Sequence, residues 1–198
     1  MWLFVNKLIE KFKPGSIYAI TSRPGVGKTQ FCFNLISHVV SNECDILYVS
    51  DCLDKNEIND NIAQMPIVSQ NRVYFKQVFN LHKDKLETYL NEKKYKYLIL
   101  DPFDNYAYDI NFGDLKEIAI EKNIIVIVTK NLSRPPMNSK RKKPVLSDIK
   151  FLDKIVCQKF IAYLDLILFL QSDPYTSEFK AIVGKDIYGE VGTTIDLK

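Results

Sequence analysis

The sequence has no hydrophobic run of the length that a membrane-spanning helix needs, about 18 or more apolar residues. Its first segment, MWLFVNKLIEKFKPG, starts apolar but is soon interrupted by charged residues. The segment also lacks the basic start and the small-residue cleavage site of a signal peptide, so an amphipathic helix leading into the first strand is expected. These absences predict a cytoplasmic protein without a membrane partner.

The sequence also has little net charge and few metal-binding side chains. Its 27 Lys and Arg exceed its 24 Asp and Glu by only three, so any affinity for nucleic acid must come from local clusters of cations. The four cysteines show no C-x-x-C spacing, and the two histidines do not cluster with them. Zinc sites and disulfides are therefore disfavoured, and buried or half-buried thiols in a reducing compartment are expected.

The length and composition indicate one ordered domain spanning 1–198, since 46% of the residues are hydrophobic. Nearly continuous apolar runs, typical of strands covered on both faces, alternate with helical patterns. The predicted strands are 16–22, 45–50, 73–78, 96–101, 124–130 and 165–171. The predicted helices are 28–41, 55–64, 82–93, 112–122 and 148–162. Two runs near the C-terminus, FKAIVGKD and GTTIDL, read as an antiparallel hairpin on the edge of a mostly parallel sheet, and the class is α/β.

One segment, 131–147, departs from this alternation. It contains three prolines and four consecutive cations, Lys140, Arg141, Lys142 and Lys143. Prolines exclude a regular helix and like charges repel, so a long exposed basic loop is predicted. The cluster fits either a nucleic-acid contact or a solvated surface loop.

The stretch SRPGVGKT at 22–29 nearly matches the phosphate-binding pattern G-x-x-x-x-G-K-S/T. It follows a predicted strand and opens a predicted helix, so backbone N–H groups and the helix N-terminus can point at phosphate oxygens. Lys28 is expected to reach the β- and γ-phosphates of a nucleotide, and Thr29 to place its hydroxyl on Mg²⁺. Ser22 stands where the pattern has glycine, a position that mainly needs a small side chain. The alternative is an ordinary Gly/Pro turn.

A partner for the magnesium is expected at the end of another strand. The run YKYLILD is apolar until Asp101, which would lie at the carboxyl edge of the sheet. The alternative role for Asp101 is capping a turn.

Several segments, in order, resemble the ATPase domain of DnaB-type replicative helicases, which belong to the RecA-like branch of P-loop NTPases. FKPGSIYAITSRPGVGKTQFCFNLI is similar to that family's phosphate-loop region, and YLILDPF to its Walker B strand. KKPVLSDIK resembles its R-P-x-x-S-D-L-R segment, and IVGKDIYGEVGTTIDL its last hairpin. The resemblance covers about residues 6–197.

This resemblance implies ATP and Mg²⁺ as cofactors, assembly into a homo-oligomeric ring, and single-stranded DNA in the central channel during replication. It would place Lys140 to Lys143 in a channel-facing loop. The implied catalytic residues are Lys28, Asp51, Asp101 and Lys185, and the implied metal ligands are Thr29 and Asp101. The implied nucleotide-binding residues are Ser22, Arg23, Gly25, Val26, Gly27, Lys28, Thr29 and Gln30.

The chain departs from the family where hydrolysis is concerned. Cys52 stands where the family has the glutamate that polarises the attacking water, with Asp51 beside it. Lys130 stands in place of a γ-phosphate-sensing glutamine. Lys185 matches the family's lysine, but Ile187 replaces an arginine that reaches the neighbouring site, a group worth about 10³ to 10⁵ in rate. The family's N-terminal domain and linker helix are expected to be absent.

Three functions remain open at this point. The first is a compact helicase-like ATPase acting on single-stranded DNA. The second is a non-catalytic or weakly hydrolysing nucleotide-binding regulator or partner of a helicase, which the altered residues favour. A small-molecule kinase is disfavoured because no lid-like arginine cluster is present.

Overall fold

A computed structural model of the chain describes residues 9–40, 44–66, 70–103, 108–133, 144–149, 160–172, 179–187 and 191–196. The strands are β1 (Ile17–Ser22), β2 (Asp45–Ser50), β3 (Val73–Gln77), β4 (Leu81–His82), β5 (Tyr95–Leu100), β6 (Tyr108–Asp109), β7 (Ile125–Asn131), β8 (Leu166–Ser172), β9 (Phe179–Asp186) and β10 (Thr194–Asp196). The α-helices are α1 (Lys28–Val39), α2 (Lys55–Ala63), α3 (Lys83–Asn91) and α4 (Phe112–Glu121).

The main sheet has eight strands in the order β10-β9-β8-β1-β7-β5-β2-β3. The run from β8 to β3 is parallel throughout, whereas β9 and β10 are antiparallel and form the hairpin predicted at the C-terminal end. β4 and β6 form a separate two-stranded parallel pair that the sequence pattern did not reveal. The predicted α/β class and mostly parallel sheet are confirmed.

The sheet separates two hydrophobic clusters, and helices cover both of its faces. α1 and α2 pack on one face through Phe31, Leu35 and Ile58. α3 and α4 pack on the other through Leu86 and Leu115. Burial on both faces explains why the central strands are continuous apolar runs in the sequence.

Two helices start at capping boxes that are readable in the sequence. The Asp54 carboxylate accepts the Asn56 and Glu57 amides, and the Glu57 side chain accepts the Asp54 amide in return. Asn111 and Asp114 make the same reciprocal pair at the start of α4. Such caps satisfy amides that the first helical turn leaves without partners, which is why both helices begin where the sequence predicts.

The predicted helix at 148–162 is wrong at its start. Residues 146–148 form a single 3-10 turn, and Ile149 then makes a β-bridge with Leu132. A residue in a β-bridge is extended, so no helix runs through Ile149. Residues 160–162 are helical as predicted, and the helix continues to residue 163. The intervening 150–159 lie outside the described residues.

β8 and β9 pair through a bulge at Gly184, where the register shifts by one residue. A Cβ at this position would lie 2.1 Å from the Phe169 ring, so only glycine lets the two strands approach this closely.

Candidate functional site

The loop after β1 leaves open space for a ligand. Gly25 and Gly27 have φ angles of 77° and 102°, which L-residues with a Cβ rarely adopt. A Cβ at either glycine would have no atom within 4 Å. The glycines therefore serve the loop's backbone path and leave room in front of it.

The helix that follows begins without a cap of its own. Gly27 provides no side-chain acceptor, and the first turn of α1 contains no acidic residue. The first amides of a helix lack intrahelical partners and carry partial positive charge. The start of α1 is therefore available to an anion such as a phosphate.

Lys28 is buried in the first turn of α1, with its ammonium turned toward the ends of β1 and β7. Its Nζ lies 2.9 Å from Asn131 Oδ1, 3.3 Å from Ser22 Oγ and 3.5 Å from the Ser22 carbonyl. The Ser22 hydroxyl itself donates to the Arg23 carbonyl. Ser22 thus does more than fit the turn, since it also contacts the lysine.

Asn131 is a residue that sequence reasoning missed. Ile125 and Ile127 of β7 belong to the hydrophobic cluster on the α1 face, whereas Val126 and Val128 belong to the opposite one. Because side chains alternate along a strand, residue 131 faces Lys28, and residue 130 faces away. The sequence resemblance places Lys130 at the position of the family's sensing glutamine. In the structure, however, the β7 side chain that contacts Lys28 is Asn131.

Asp101 directly follows β5 and is almost completely buried, with 2% exposure. Its Oδ2 accepts the Tyr48 hydroxyl from β2, and its Oδ1 accepts the Thr129 hydroxyl from β7, both at 2.5 Å. β5 lies between these two strands in the sheet. The carboxylate is therefore held from both sides at the edge of the sheet where the loop after β1 lies.

The buried thiol of Cys32 lies close to both Lys28 and Asp101. Cys32 is fully buried in α1, one turn after Lys28. Burial raises the pKa of its thiol, the negative charge of Asp101 raises it further, and Lys28 lowers it. Both charges thus act on one thiol beneath the loop.

The residues after β2 have distinct environments. The Ser50 hydroxyl accepts the amides of Cys52 and Leu53, and this turn leaves Cys52 exposed, against the expectation of buried thiols. The Asp51 Oδ1 atom is buried and has no hydrogen-bond partner among the described residues. Asp54 is exposed and caps α2, so within the described part of the chain Asp51 is the carboxylate near Cys52 that has a buried oxygen without a partner.

Lys185 lies at the opposite edge of the sheet from the loop. It pairs in register with Ile167, near the amino end of β8. Its Nζ donates to the carbonyls of Ile161 and Leu164, and burial lowers its pKa. Ile187, just beyond, is 54% exposed. Neither residue belongs to the Lys28 site of its own chain.

The remaining predicted residues border the loop or lie outside the described residues. Arg23 and Gln30 are exposed, and Val26 and Thr29 are half-buried. The four cations Lys140, Arg141, Lys142 and Lys143 lie outside the described residues.

The donor chemistry of the site fits Mg²⁺. A threonine hydroxyl and a carboxylate supply oxygen ligands, which this ion prefers in proteins, with the remainder coming from phosphates and water. No group of three His, Cys, Asp or Glu side chains suited to a metal occurs among the described residues. An ion here would therefore depend on the nucleotide's own oxygens.

No protein-family model and no curated protein matches the sequence. Within the described ranges, no helix is long and apolar enough to cross a membrane.

Solved structures do match the fold. A DnaB-like replicative helicase, solved in a study of its interactions with primase, superposes with a TM-score of 0.72 at 18% identity, over 93% of this chain and 55% of its own. A separately solved ATPase domain superposes with a TM-score of 0.72 at 17% identity, over 96% of this chain and 84% of its own. The RadB recombinase superposes with a TM-score of 0.66 at 13% identity, over 97% of this chain and 91% of its own. The chain spans only about half the length of the first of these proteins, and it has the RecA-like P-loop fold that these structures share.

Proposed function

We propose that the chain binds ATP with Mg²⁺ in the loop at 22–30. The observation that carries the proposal is the position of Lys28. Its buried ammonium lies between Ser22 and Asn131 at the start of an uncapped helix. A buried cation beside helical amides that lack intrahelical partners forms a site for a polyphosphate.

Each residue of the site has a role in this proposal. Lys28 contacts the β- and γ-phosphates, and the amides of the loop and of the first turn of α1 surround them. Thr29 and Asp101 would hold Mg²⁺, and the ion would supply positive charge that offsets the charge of the phosphates. The side chains of Arg23, Val26 and Gln30 border the nucleotide.

Asp51 is the proposed group that orients the attacking water. Its unsatisfied buried oxygen supports this role, because a buried carboxylate oxygen without a donor is costly unless a ligand or water completes it. Cys52, the residue at the family's glutamate position, is exposed, and its thiol has no carboxylate oxygen with which to orient water.

The wider function that we propose is that of a helicase-like ATPase acting on single-stranded DNA in replication, in the cytoplasm. The DNA contact would be made by Lys140 to Lys143, and the chain would work as a ring. If Lys185 has the catalytic role that the resemblance implies, it would act on the nucleotide of a neighbouring copy, because it lies at the opposite edge of the sheet from the loop of its own chain.

A second candidate function is a nucleotide-binding partner or regulator of a helicase that hydrolyses ATP slowly or not at all. The exposed Ile187 favours it, because isoleucine cannot stabilise the transition-state charge that an arginine would.

Calorimetric titration of the purified chain with ATP and Mg²⁺ tests the binding proposal. Lys28→Ala removes charge-assisted hydrogen bonds to phosphate, so we expect affinity to fall by about 10- to 100-fold. Lys94→Ala is the control, since this exposed lysine precedes β5 at the other edge of the sheet. Equal ATP affinity in the wild type and Lys28→Ala would remove the proposal.

Turnover measurements separate the two candidate functions. DNA-stimulated hydrolysis that disappears in Lys28→Ala supports the helicase-like ATPase. ATP binding without turnover, with or without single-stranded DNA, supports the regulator. The molar mass in solution with and without ATP–Mg²⁺ shows whether the ring forms.

A further inference from the structure

Asp101 is held by two hydroxyls from the strands on either side of it. Tyr48 and Thr129 each donate to a different carboxylate oxygen, so the carboxylate cannot rotate without breaking a hydrogen bond. All three side chains are 2% exposed or less. A carboxylate held at both oxygens has one orientation instead of several.

The hydroxyl of Tyr48 is itself fixed by packing. Its ring stacks on Phe33 of α1, with centroids 5.1 Å apart and planes inclined by 7°, and it also contacts the Phe75 ring of β3. A tyrosine whose ring is packed on two sides presents its hydroxyl at one place. The donor to Asp101 is therefore rigid.

Thr129 is placed by the pleat of β7. It lies on the same face of that strand as Asn131, two residues away, and Asn131 accepts from Lys28. One face of one strand thus contacts both the carboxylate and the lysine. Hydroxyl donors leave each carboxylate oxygen a second lone pair for a cation or for water bound to it.

We propose that Tyr48 and Thr129 are positioning residues for the cation that accompanies the nucleotide. By holding Asp101 in one orientation, they set the concentration of Mg²⁺ that the site requires. This inference rests on the proposed nucleotide binding, and it assigns a role to two side chains that do not touch the phosphates.

The test measures ATP affinity over a range of Mg²⁺ concentrations, together with Mn²⁺ binding to the nucleotide complex by electron paramagnetic resonance. Tyr48→Phe and Thr129→Val each remove one hydroxyl and preserve shape. We expect each to raise the half-saturating metal concentration by about fivefold, the effect of losing one hydrogen bond. ATP affinity without metal should stay at the wild-type value.

Thr129→Ser is the matched control, because serine keeps the hydroxyl and loses only a methyl group. It should retain wild-type metal dependence. Circular dichroism establishes that each variant is folded, and the Thr129→Val and Thr129→Ser pair suffices if Tyr48→Phe does not fold.

Three outcomes would overturn the inference. The variants could keep wild-type metal dependence, or they could lose metal-free ATP affinity to the same extent, which would indicate a structural role only. If the wild type itself bound no ATP, the proposed function would fail and this inference with it. If the wild type binds ATP–Mg²⁺ and the variants show the same metal dependence as the wild type, this inference fails and the proposed function stands.

Discussion

The Lys28 ammonium lies 2.9 Å from the Asn131 side-chain oxygen, across 103 positions of sequence. The contact joins the first turn of α1 to the end of β7. In the proposed complex, an incoming nucleotide would meet a lysine already held by a neutral amide. A phosphate can compete with that amide, because hydrogen bonds to charged groups are the stronger ones.

Asn131→Asp should weaken ATP binding by at least about tenfold. A carboxylate would pair with Lys28 and repel the incoming phosphates, a loss of about 1.4 kcal/mol or more. Fluorescent-nucleotide titration at low ionic strength measures the change. Asn91→Asp is the matched control, since Asn91 also accepts from a lysine, Lys122, but on the exposed end of α3. Equal effects of the two substitutions would show that Asn131 has no special relation to the phosphates.

Asp51→Asn should reduce ATP hydrolysis by about 100-fold or more and leave ATP binding intact, because it removes the carboxylate that we propose orients the attacking water. Steady-state phosphate release and equilibrium titration measure the two quantities. Asp54→Asn is the control, since asparagine is an equally good helix cap and should leave both unchanged. Wild-type turnover in Asp51→Asn would exclude the role proposed for this carboxylate.

Ile187→Arg combined with Cys52→Glu should increase ATP hydrolysis, by about tenfold or more, in preparations that assemble. An arginine at this exposed position can reach a neighbouring copy and stabilise transition-state charge there. The control combines Cys52→Glu with Ile120→Arg, because Ile120 is similarly exposed at 60%. If the assembled Ile187→Arg protein gains nothing over this control, Ile187 does not lie at an interface beside the nucleotide.

Replacing Lys140, Arg141, Lys142 and Lys143 with alanine should weaken single-stranded DNA binding and flatten its salt dependence. Each lost phosphate contact reduces the slope of log K against log salt by about 0.7. Fluorescence anisotropy between 50 and 200 mM salt, roughly the range over which this effect is large, provides the measurement. Alanine at Lys55, Lys85, Lys94 and Lys96 removes the same charge elsewhere, and an equal loss there would indicate non-specific attraction.

Tyr95→Phe should stabilise the fold by up to about 1 kcal/mol at neutral pH. The Tyr95 hydroxyl is buried and has no partner among the described residues, and phenylalanine removes that cost. Tyr18→Phe should destabilise instead, because the Tyr18 hydroxyl donates to the Lys11 carbonyl and accepts the Lys13 amide. Denaturant unfolding measures both. A destabilised Tyr95→Phe protein would mean that the hydroxyl has a partner.

The same tyrosine gives a pH dependence of known sign. Burial raises the pKa of Tyr95 from 10.0 to about 12, with smaller contributions from Glu92 and Tyr74. The unfolded chain therefore ionises first as pH rises, and wild-type stability falls between pH 10 and about 12. The stability advantage of Tyr95→Phe should widen over that range. A stability difference between Tyr95→Phe and the wild type that stays constant over this pH range would contradict the raised pKa of Tyr95.

Local patterns in the sequence were sufficient for most of the elements. Continuous apolar runs mark the strands covered on both faces, and the helical patterns between them mark the helices. The helix predicted from 148 failed because Ile149 pairs with Leu132, a tertiary contact that overrides local helical preference. The pair β4 and β6 was missed because strands of two residues carry no periodicity.

The sequence by itself determined the backbone path of the loop and the start of α1, because the glycines and the first helical residues act within one turn. Only the tertiary structure decided which distant residues face that loop. Asn131 meets Lys28, and Tyr48 and Thr129 meet Asp101, because β7 lies between β1 and β5 and β5 lies beside β2. Strand order and register are set by packing between segments far apart in the chain. A shift of one residue would exchange Asn131 for Lys130 at the lysine.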